Sequence, residues 1–400
     1  MLFRSVFPNL AHNATVAAIT QNFGKEAGAE WHALLTRAES MWDASREDFI
    51  ENELKFSSLF TKRNFLKDFA TIAPWRSLRS LTKTYTSNPY LTKIIDRYAT
   101  YTGSDPRKVP AVLLTIAFVE EAFGAWHIKG GLGRLPEELE KRCIELGVNI
   151  HLNSKVGRIR TQNGTAIGIS LLNGTLIDAD IVIANADAEH VYNHLLPQDS
   201  KTAKPRRMLR RATPSLSGFT LALGLRGTSN LSHHTVLFPS NYDDEFDSIF
   251  TRKEPVPDPA IYICNPKDPA MVPAENHEAW TILINAPRHE PGSGCDWERP
   301  GLKESYAERI LDLIEGRGIT VRDRIDLMKI RTPADLERDH LAPGGSIYGS
   351  SSNGARSAFL RAKNRSPIAN LYCLGGSAHP GGDRKSTRLN SSHANISYAV

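Results

Sequence analysis

The stretch AWHIKGGLGRLPEELEKRCIELG, residues 125–147, decides how the rest of the chain is interpreted. Its apolar side chains recur at helical spacing and predict a helix, namely Leu135, Leu139, Cys143 and Leu146. Gly130 and Gly131 precede this helix, Pro136 suits its first turn and Gly147 its end. Glycines there allow a ligand to approach, and a helix N-terminus favours an anion such as a pyrophosphate. A glycine turn that only lets the helix begin explains the pattern equally well.

The segment that follows is predicted to form a β-meander. Apolar residues alternate in VNIHL, residues 148–152, and again in KVGRIRTQNGTAIGISLLNGTLIDAD, residues 155–180. Asn163-Gly164 and Asn173-Gly174 interrupt the alternation, and Asn-Gly between alternating runs is a strong hairpin signal. We therefore expect antiparallel strands joined by tight turns.

Two short apolar runs lie on either side of a long intervening segment. Residues 181–184, IVIA, predict a strand buried on both faces that ends at Asn185, Ala186 and Asp187. Residues 371–374, LYCL, predict a strand that leads into Gly375-Gly376. Open α/β sheets bind ligands at the carboxyl ends of their strands, so both ends are candidate binding turns.

These segments, together with RYATYTG (97–103), SLSGFTLALGLRG (215–227) and TPADLERDHLAPGGSIYG (332–349), resemble a known family. The order and spacing are similar to the carotenoid (phytoene) desaturase branch of the FAD-dependent amine-oxidase-like oxidoreductases. The resemblance covers most of residues 1–382.

The resemblance implies an α/β (α+β) fold, with an incomplete FAD-binding Rossmann-like domain and a second, mixed sheet-and-helix substrate domain. The implied divisions are a mainly helical substrate-side region at 1–124, part of the FAD-binding domain at 125–190, the substrate domain at 191–365, a return to the FAD-binding domain at 366–382, and a foreign-looking tail at 383–400.

The cofactor implied is FAD, with cofactor-side candidates Gly130, Gly131, Val156, Asn185, Ala186, Gly375, Gly376, His379, Pro380 and Gly381. For His379, an ordinary turn residue is an equally good interpretation. Arg97, Tyr98 and Tyr101, next to Asp96, are expected to shape the substrate cavity. None of them is assigned a proton-transfer role, and the catalytic residues are unknown.

Members of this family open with a strand, a GxGxxG turn, a helix and an acidic residue about 20 residues on. None of these is present at the start of this sequence. We therefore expect a piece that lacks the family's N-terminal unit and native C-terminus and that holds FAD weakly or not at all. The polar tail DRKSTRLNSSHANISYAV, residues 383–400, is expected to be disordered.

The function implied is FAD-dependent dehydrogenation of a carotenoid precursor, as in phytoene desaturases. A hydroxycarotenoid 3,4-desaturase or a terminal carotenoid oxidase is the alternative within the branch. An alternative of another class is a non-catalytic remnant that no longer holds FAD. The expected partner is a carotenoid or isoprenoid substrate, with an unknown electron acceptor.

Composition excludes some classes of function. A formal charge of +5 over 400 residues does not indicate a nucleic-acid binder. The four cysteines lie far apart, which favours a reduced, cytoplasmic compartment. The apolar run at 109–119 is shorter than the ~20 residues that a membrane span needs. No metal site is predicted, because His233 and His234 have no third ligand at a helpful spacing.

The remaining segments predict ordinary secondary structure. Residues 8–95 are expected to be mainly helical, with Phe49, Phe56, Phe60, Phe65 and Phe69 either in a core or along a substrate tunnel. Strands are expected at FTLALGL, HTVLFP, AIYIC and AWTILINA within 215–290, and a helix at SYAERILDLIEGRG. The basic segment 201–215 is interpreted as a connector, with its charges either solvated or contacting anionic lipid at the membrane surface.

Overall fold

The computed structural model describes residues 12–47, 65–354, 357–379 and 381. Its α-helices are α1 (His12–Phe23), α2 (Lys25–Ser45), α3 (Phe65–Ile72), α4 (Leu78–Thr82), α5 (Pro89–Arg97), α6 (Thr115–Phe123), α7 (Arg134–Glu145), α8 (Ala188–His190), α9 (Ser200–Arg211), α10 (Asp243–Asp247), α11 (Leu302–Glu315), α12 (Pro333–His340) and α13 (Ser357–Leu360). Its strands are β1 (Val156–Gln162), β2 (Thr165–Leu171), β3 (Leu176–Asp178), β4 (Val182–Ala184), β5 (Ser217–Arg226), β6 (His234–Leu237), β7 (Ile261–Cys264), β8 (His277–Ala286), β9 (Ile325–Arg331) and β10 (Leu371–Cys373). This mixture of helices and sheets confirms the predicted α/β class.

The first part of the chain is helical, as predicted for its described residues. Helix α2 is central because its apolar side chains recur every three or four residues and are nearly fully buried, among them Trp31, Leu34 and Met41. The side chain of Asn88 accepts hydrogen bonds from the backbone of Tyr90 and Leu91 and so caps α5. These helices form a core of their own, which extends to residues 109–117.

The aromatic side chains expected in this region have a mixed outcome. Phe69 is 45% exposed, so a place in the core is wrong for it. Its ring packs on that of Trp75, itself exposed, with 5.7 Å between the ring centroids. Phe49, Phe56, Phe60 and the side chain of Phe65 lie outside the described residues.

Strands β1, β2 and β3 form the antiparallel meander that the Asn-Gly pairs predict. Asn163 and Gly164 both have positive φ, 49° and 75°, as a type I′ hairpin turn requires. At the second turn only Gly174 has positive φ, and the side chain of Asn173 accepts a hydrogen bond from the Thr175 amide. The alternating pattern therefore identified both turns correctly.

The two short apolar runs pair with each other although 189 positions separate their partners. Strand β4 runs parallel to β10, with Val182 opposite Leu371 and Ala184 opposite Cys373. The expectation that residues 181–184 are buried on both faces is wrong. Val182 is buried, but Ile181 and Ile183 are 56% and 47% exposed, because nothing in the described part of the chain packs over that face of β4.

A five-stranded sheet in the order β6-β7-β8-β5-β9 supplies the largest core. The four strands predicted within 215–290 are confirmed. Strand β5 alternates strictly, so that Phe219, Leu221, Leu223 and Leu225 bury one face of the sheet together with Trp280 and side chains of α11. Each such side chain contributes roughly 1.5–3 kcal/mol when fully buried.

Strand β9, IDLMKIR, was not predicted. It is an edge strand whose middle is exposed, and a bulge at Gly224/Leu225 interrupts its pairing with β5. Such a strand has no continuous apolar alternation, which removes the signal that prediction uses.

The predicted helix after the glycine turn is confirmed as α7, but none of its residues is buried. Leu139, Ile144 and Leu146 are 55–65% exposed. The strand expected at VNIHL is wrong, since residues 148–152 are irregular. Val148, Ile150 and Leu152 are 42–74% exposed, and no neighbouring strand in the described part of the chain pairs with them.

The segment interpreted as a basic connector is a helix, α9, which corrects that prediction. Asp199 and Thr202 form a reciprocal capping box that starts it. Arg206 is buried, and its guanidinium donates to the backbone carbonyls of Tyr192 and Leu196. The helix therefore has one packed face and one basic face. Within the described ranges, no helix combines the length and apolar composition that crossing a bilayer requires.

Candidate functional site

The carboxyl ends of β4 and β10 bring two predicted binding turns together. The Leu374 amide donates to the Ala184 carbonyl at 2.9 Å and so extends the parallel pairing by one residue. Asn185 and Gly375, which come next on the two strands, are in contact. A Cβ atom at Gly375 would lie 2.7 Å from the Asn185 Oδ1 atom. The pairing of β4 with β10 therefore places the turns that contain Asn185 and Gly375 side by side, and we call this place the strand-pair edge.

Gly375 is required at this edge for two independent reasons. Its φ of +98° is strained for any residue with a side chain, and the contact with Asn185 leaves no room for one. Ala186 is half-buried and packs against the core beneath the strand pair. The glycine at position 375 therefore allows the Asn185 side chain to pack closely against this turn.

Arg361 is a buried cation that holds this edge in place. Its guanidinium donates to the carbonyls of Gly376 and Tyr348, both at 2.8 Å, and to that of Ser350 at 2.5 Å. Burial lowers its pKa to about 10, and the nearby Asp187 carboxylate opposes that shift. Arg361 was not predicted, because a single arginine in SAFLRAKN carries no local signal of burial.

A cleft lies beside the same edge. Its lining includes Asp187, Ser377, Gly349 and Ser350, with residues from the start of α8, the end of α9 and the 343–346 turn. The Ser377 hydroxyl accepts from the Ala188 amide at 2.8 Å, and Asp187 caps α8 through the Glu189 amide at 2.8 Å. Burial raises the pKa of Asp187, and hydrogen bonds from the Glu189 and His190 amides and the Ser377 side chain oppose that shift.

The end of the described chain folds back over the strand pair. The Asn364 side chain donates to the His379 carbonyl at 2.8 Å, and the His379 amide donates to the Ala362 carbonyl at 2.8 Å. A Cβ atom at Gly381 would lie 3.4 Å from the Arg361 Cζ atom. Pro380 lies outside the described residues.

The glycine turn before α7 contacts a different part of the molecule. The Gly130 amide donates to Asp268 Oδ2 at 2.6 Å, and a Cβ atom at Gly131 would lie 3.2 Å from the Met271 Cε atom. The hydrogen bond from His127, assisted by those from the amides of Gly130 and Ala270, lowers the pKa of Asp268 to about 2. Val156 opens β1, opposite Leu171. Their part in cofactor binding stays a prediction.

The predicted cavity residues form a second cluster. The hydroxyls of Tyr98 and Tyr101 donate to the two carboxylate oxygens of Glu120, at 3.0 and 3.3 Å. The Arg97 Cζ atom lies 5.0 Å from the centre of the Tyr262 ring on β7. Asp96 points elsewhere, since it is fully buried in an ion pair with Arg79 at 2.6 Å.

Burial sets the protonation of this second cluster. It raises the pKa of Glu120, whereas the hydrogen bond from Tyr98 and the charge of Arg97 lower it. Burial also raises the pKa of Tyr98, which keeps that phenol neutral. The cluster therefore presents aromatic rings, one guanidinium and one shielded carboxylate against the sheet face that carries Tyr262.

The residues of the strand-pair edge fit the demands of a bound flavin. In open α/β folds ligands bind beyond the carboxyl ends of parallel strands, and the turns that contain Asn185 and Gly375 lie there. The buried charge of Arg361 adds a positive potential beside that turn.

Comparison with known proteins agrees with the family resemblance found in the sequence. Residues 26–244 match the family described as flavin containing amine oxidoreductase. A 4,4'-diapolycopene oxygenase of Methylomonas sp is 31% identical over 79% of this chain and 63% of its own length. A 1-hydroxycarotenoid 3,4-desaturase of Flavobacterium sp. (strain P99-3) is 32% identical over 87% of this chain and 70% of its own. A 4,4'-diapophytoene desaturase of Methylomonas sp is 30% identical over 84% and 68%.

Solved structures share the fold. A putrescine oxidase bound to putrescine superposes with a TM-score of 0.53 at 9% identity, over 86% of this chain and 69% of that one. At that identity the likeness concerns the fold alone.

Proposed function

The chain belongs to the flavin-containing amine oxidoreductases, and from this premise we propose that it acts in the FAD-dependent dehydrogenation of a carotenoid precursor. The family match confirms the resemblance found in the sequence, and the reaction and the substrate are what we propose. One observation carries it. The Asn185-Ala186 turn and the Gly375-Gly376 turn meet at the carboxyl ends of two parallel strands beside a cleft.

The cofactor proposed for this edge is FAD. Asn185, Ala186, Gly375 and Gly376 would hold it, and Arg361 fixes the Gly376 carbonyl in the required conformation. When bound, a flavin supplies the acceptor for the two hydrogens that a desaturation removes. The other cofactor-side candidates, Gly130, Gly131, Val156, His379, Pro380 and Gly381, stay proposals for the remainder of the dinucleotide.

The proposed substrate site is the sheet face near Tyr262. A polyene is long, apolar and polarisable, so aromatic rings and a guanidinium held over a ring can bind and orient it. Glu120 fixes Tyr98 and Tyr101 through hydrogen bonds and is itself shielded from water. Desaturation of an unactivated bond needs orientation and exclusion of water more than a strong acid or base. We therefore assign these residues positioning roles only.

Phytoene-like precursors are the first choice of substrate, because the motifs that carry the resemblance are shared across the branch. A hydroxylated acyclic carotenoid, or a carotenoid terminus to be oxidised, is the second choice. The relatives named as a hydroxycarotenoid desaturase and an oxygenase support it, at 32% and 31% identity against 30% for the diapophytoene desaturase. Arg97 would offer a hydrogen-bond donor to a substrate hydroxyl, which an unsubstituted precursor lacks.

The test is turnover by the protein that carries this chain, supplied with FAD in a membrane preparation. Phytoene and a hydroxylated acyclic carotenoid are offered separately, and desaturated products are measured. Turnover of phytoene supports the first choice, and turnover of only the hydroxylated compound supports the second. Flavin absorbance in the purified protein separates both from the remnant hypothesis, which predicts neither flavin nor turnover.

Substitution of Arg97 localises the substrate. Arg97→Met is expected to lower kcat/KM roughly tenfold through loss of its aromatic and substrate contacts. Arg226→Met is the matched control, since Arg226 is exposed and pairs with Asp326 on the sheet edge. Equal activity of the two variants would place the substrate elsewhere.

Contact with a membrane surface is proposed for the basic face of α9. Lys201, Lys204, Arg207, Arg210 and Arg211 are exposed on it, whereas Arg206 and Thr202 face the core. Each basic residue near an anionic surface contributes about 1 kcal/mol. Cosedimentation with phosphatidylserine vesicles should weaken stepwise for Lys204→Gln and Arg207→Gln. Binding unchanged in the double variant would refute this role.

A further inference from the structure

Two histidines and a cysteine form a cluster on the edge of the five-stranded sheet. The ligand-capable atoms of His233, His234 and Cys264 all lie within 4.8 Å of one another. The proposed dehydrogenation uses none of them. Sequence spacing could not reveal the third residue, because Cys264 follows His234 by thirty positions and reaches it by strand pairing.

Pairing of β6 with β7 fixes two members of the cluster. His234 and Cys264 are directly opposite partners in the antiparallel ladder, so their side chains leave the sheet on the same face. His233 stands just before β6, where its carbonyl accepts from the Asn265 amide at 2.7 Å. Because the backbone bends there, its ring turns to the same side, and the two imidazole centroids are 4.3 Å apart.

Neighbouring groups orient the histidines. His234 Nδ1 is hydrogen-bonded to the Tyr262 hydroxyl at 2.7 Å, which leaves Nε2 as its ligand atom when Nδ1 carries the proton. The His127 ring packs edge-on against His233, with 5.2 Å between centroids, and its own Nε2 is bonded to Asp268 at 2.8 Å. In a metal-binding histidine, the ring nitrogen that does not bind the metal is usually hydrogen-bonded to another group, which orients the ring.

We propose that His233, His234 and Cys264 bind one Zn²⁺ ion and leave a fourth position open to water. Two imidazole nitrogens and one thiolate are a donor set that Zn²⁺ accepts. Ligand atoms around tetrahedral zinc are about 3.5 Å apart, so the three side chains draw together by about 1 Å on binding. The thiolate of Cys264 supplies the negative charge, which offsets part of the repulsion from the nearby guanidinium of Arg97. The ion joins the loop before β6 to β7 and thereby fastens an edge strand beside the proposed substrate face.

Titration of the full chain with Co²⁺, a spectroscopic substitute for Zn²⁺, tests the proposal. The expected result is one Co²⁺ per chain, tetrahedral d–d bands, a thiolate-to-cobalt charge-transfer band, and loss of all of these on adding Zn²⁺. Cys264→Ser should remove the charge-transfer band, and His233→Ala should abolish stoichiometric binding. Tyr262→Phe, which removes the support of His234, should weaken binding roughly 10-fold.

Matched controls use residues of the same type outside the cluster. Cys143→Ser on α7 and His151→Ala in the irregular segment after it should leave the titration unchanged. Far-UV circular dichroism in EDTA shows whether each variant is folded, and a rise in Tm with Zn²⁺ should occur in the parent and control proteins but not in Cys264→Ser. Absence of stoichiometric Co²⁺ binding, or a charge-transfer band that persists in Cys264→Ser, would overturn the site.

Discussion

The five-stranded sheet has a larger buried core than the cofactor side, which is the region of the β4/β10 pair and residues 132–183. The central strands of the sheet bury one face, which carries Trp280, against α11 and Trp297. The cofactor side has a smaller core, in which the inner face of the β4/β10 pair packs with Ile159, Ala166 and side chains of residues 188–196. It leaves large apolar side chains exposed along 132–183, among them Leu139, Ile144, Leu152, Leu172 and Ile181.

The region with the larger core therefore supplies more of the stability, and the region with the smaller core carries the proposed cofactor-binding edge. The sheet region is stabilised by its own side chains and carries Tyr262 on β7, against which Arg97 of α5 packs. The cofactor side has a well-defined binding edge, built on Gly375 and Arg361, next to an apolar surface that the described residues do not cover.

The largest difference in the free energy of unfolding is expected between a Leu→Ala substitution in the five-stranded sheet and the same substitution on the cofactor side. Leu221→Ala removes a fully buried side chain from the sheet and should lower the free energy of unfolding by roughly 2–5 kcal/mol. Leu139→Ala on α7 should change it by at most about 0.5 kcal/mol, since that side chain is 55% exposed. Urea unfolding measures both. A loss of comparable size at Leu139 would break the comparison.

A pH effect is expected from the sheet side. Glu245 is fully buried, accepts from the Ala260 amide and the Asn285 side chain, and burial raises its pKa from 4.5 to about 7. Because the folded pKa is the higher one, its stabilising contribution is complete below pH 4.5 and is lost as pH rises through 7. The loss is at most about 3 kcal/mol.

Glu245→Gln cannot ionise and should flatten this decline between pH 5 and 8 in urea unfolding. Asp96, whose pKa burial raises to about 6, remains in both proteins and accounts for the residual slope. An unchanged slope in the variant would show that Glu245 is already ionised at pH 5.

The next effect belongs to the cofactor side. Arg361→Met leaves three backbone carbonyls without their donor and should cost about 1–3 kcal/mol of stability, with loss of bound flavin. Arg207→Met on the exposed face of α9 is the control and should change neither quantity. Full flavin content in Arg361→Met would separate this arginine from the binding edge.

The smallest change in stability is expected for substitutions on the exposed apolar surface of α7, where the fluorescence of a bound dye provides the signal. The protein should bind a hydrophobic dye through the exposed side chains of α7. Leu139→Ser with Ile144→Ser should reduce dye fluorescence while urea midpoints stay nearly constant. Fluorescence equal to that of the parent would locate the dye elsewhere.

Local signals account for what the sequence predicted correctly. Asn163-Gly164 specifies its turn through backbone conformation alone, and the alternation of β5 specifies its buried face. The strand at 148–152 failed because alternation predicts a strand only where a partner is available, and the described residues offer none. Burial on both faces of β4 failed for a different reason: β4 has a partner strand, but the described residues place no packing layer over one of its faces.

The parts of the site that sequence could not predict depend on distant contacts. Arg361 meets carbonyls from two turns, and Cys264 meets His234 through the ladder of β6 and β7. Neither contact leaves a spacing pattern in the chain. The Gly375 turn was identified as a candidate, but its contact with Asn185 follows from the β4/β10 register.

The central claim is that the edge formed by Asn185 and Gly375 holds the flavin. Its most direct test is the flavin content of Gly375→Ala and Gly318→Ala in the protein that carries this chain. Both glycines have positive φ, +98° and +83°, so the backbone strain of about 1–2 kcal/mol is matched. Only at Gly375 does the added Cβ meet another atom within 4 Å, the Asn185 side chain. The account predicts that Gly375→Ala loses most of its flavin while Gly318→Ala keeps the parent's content, and equal flavin in the two variants would contradict it.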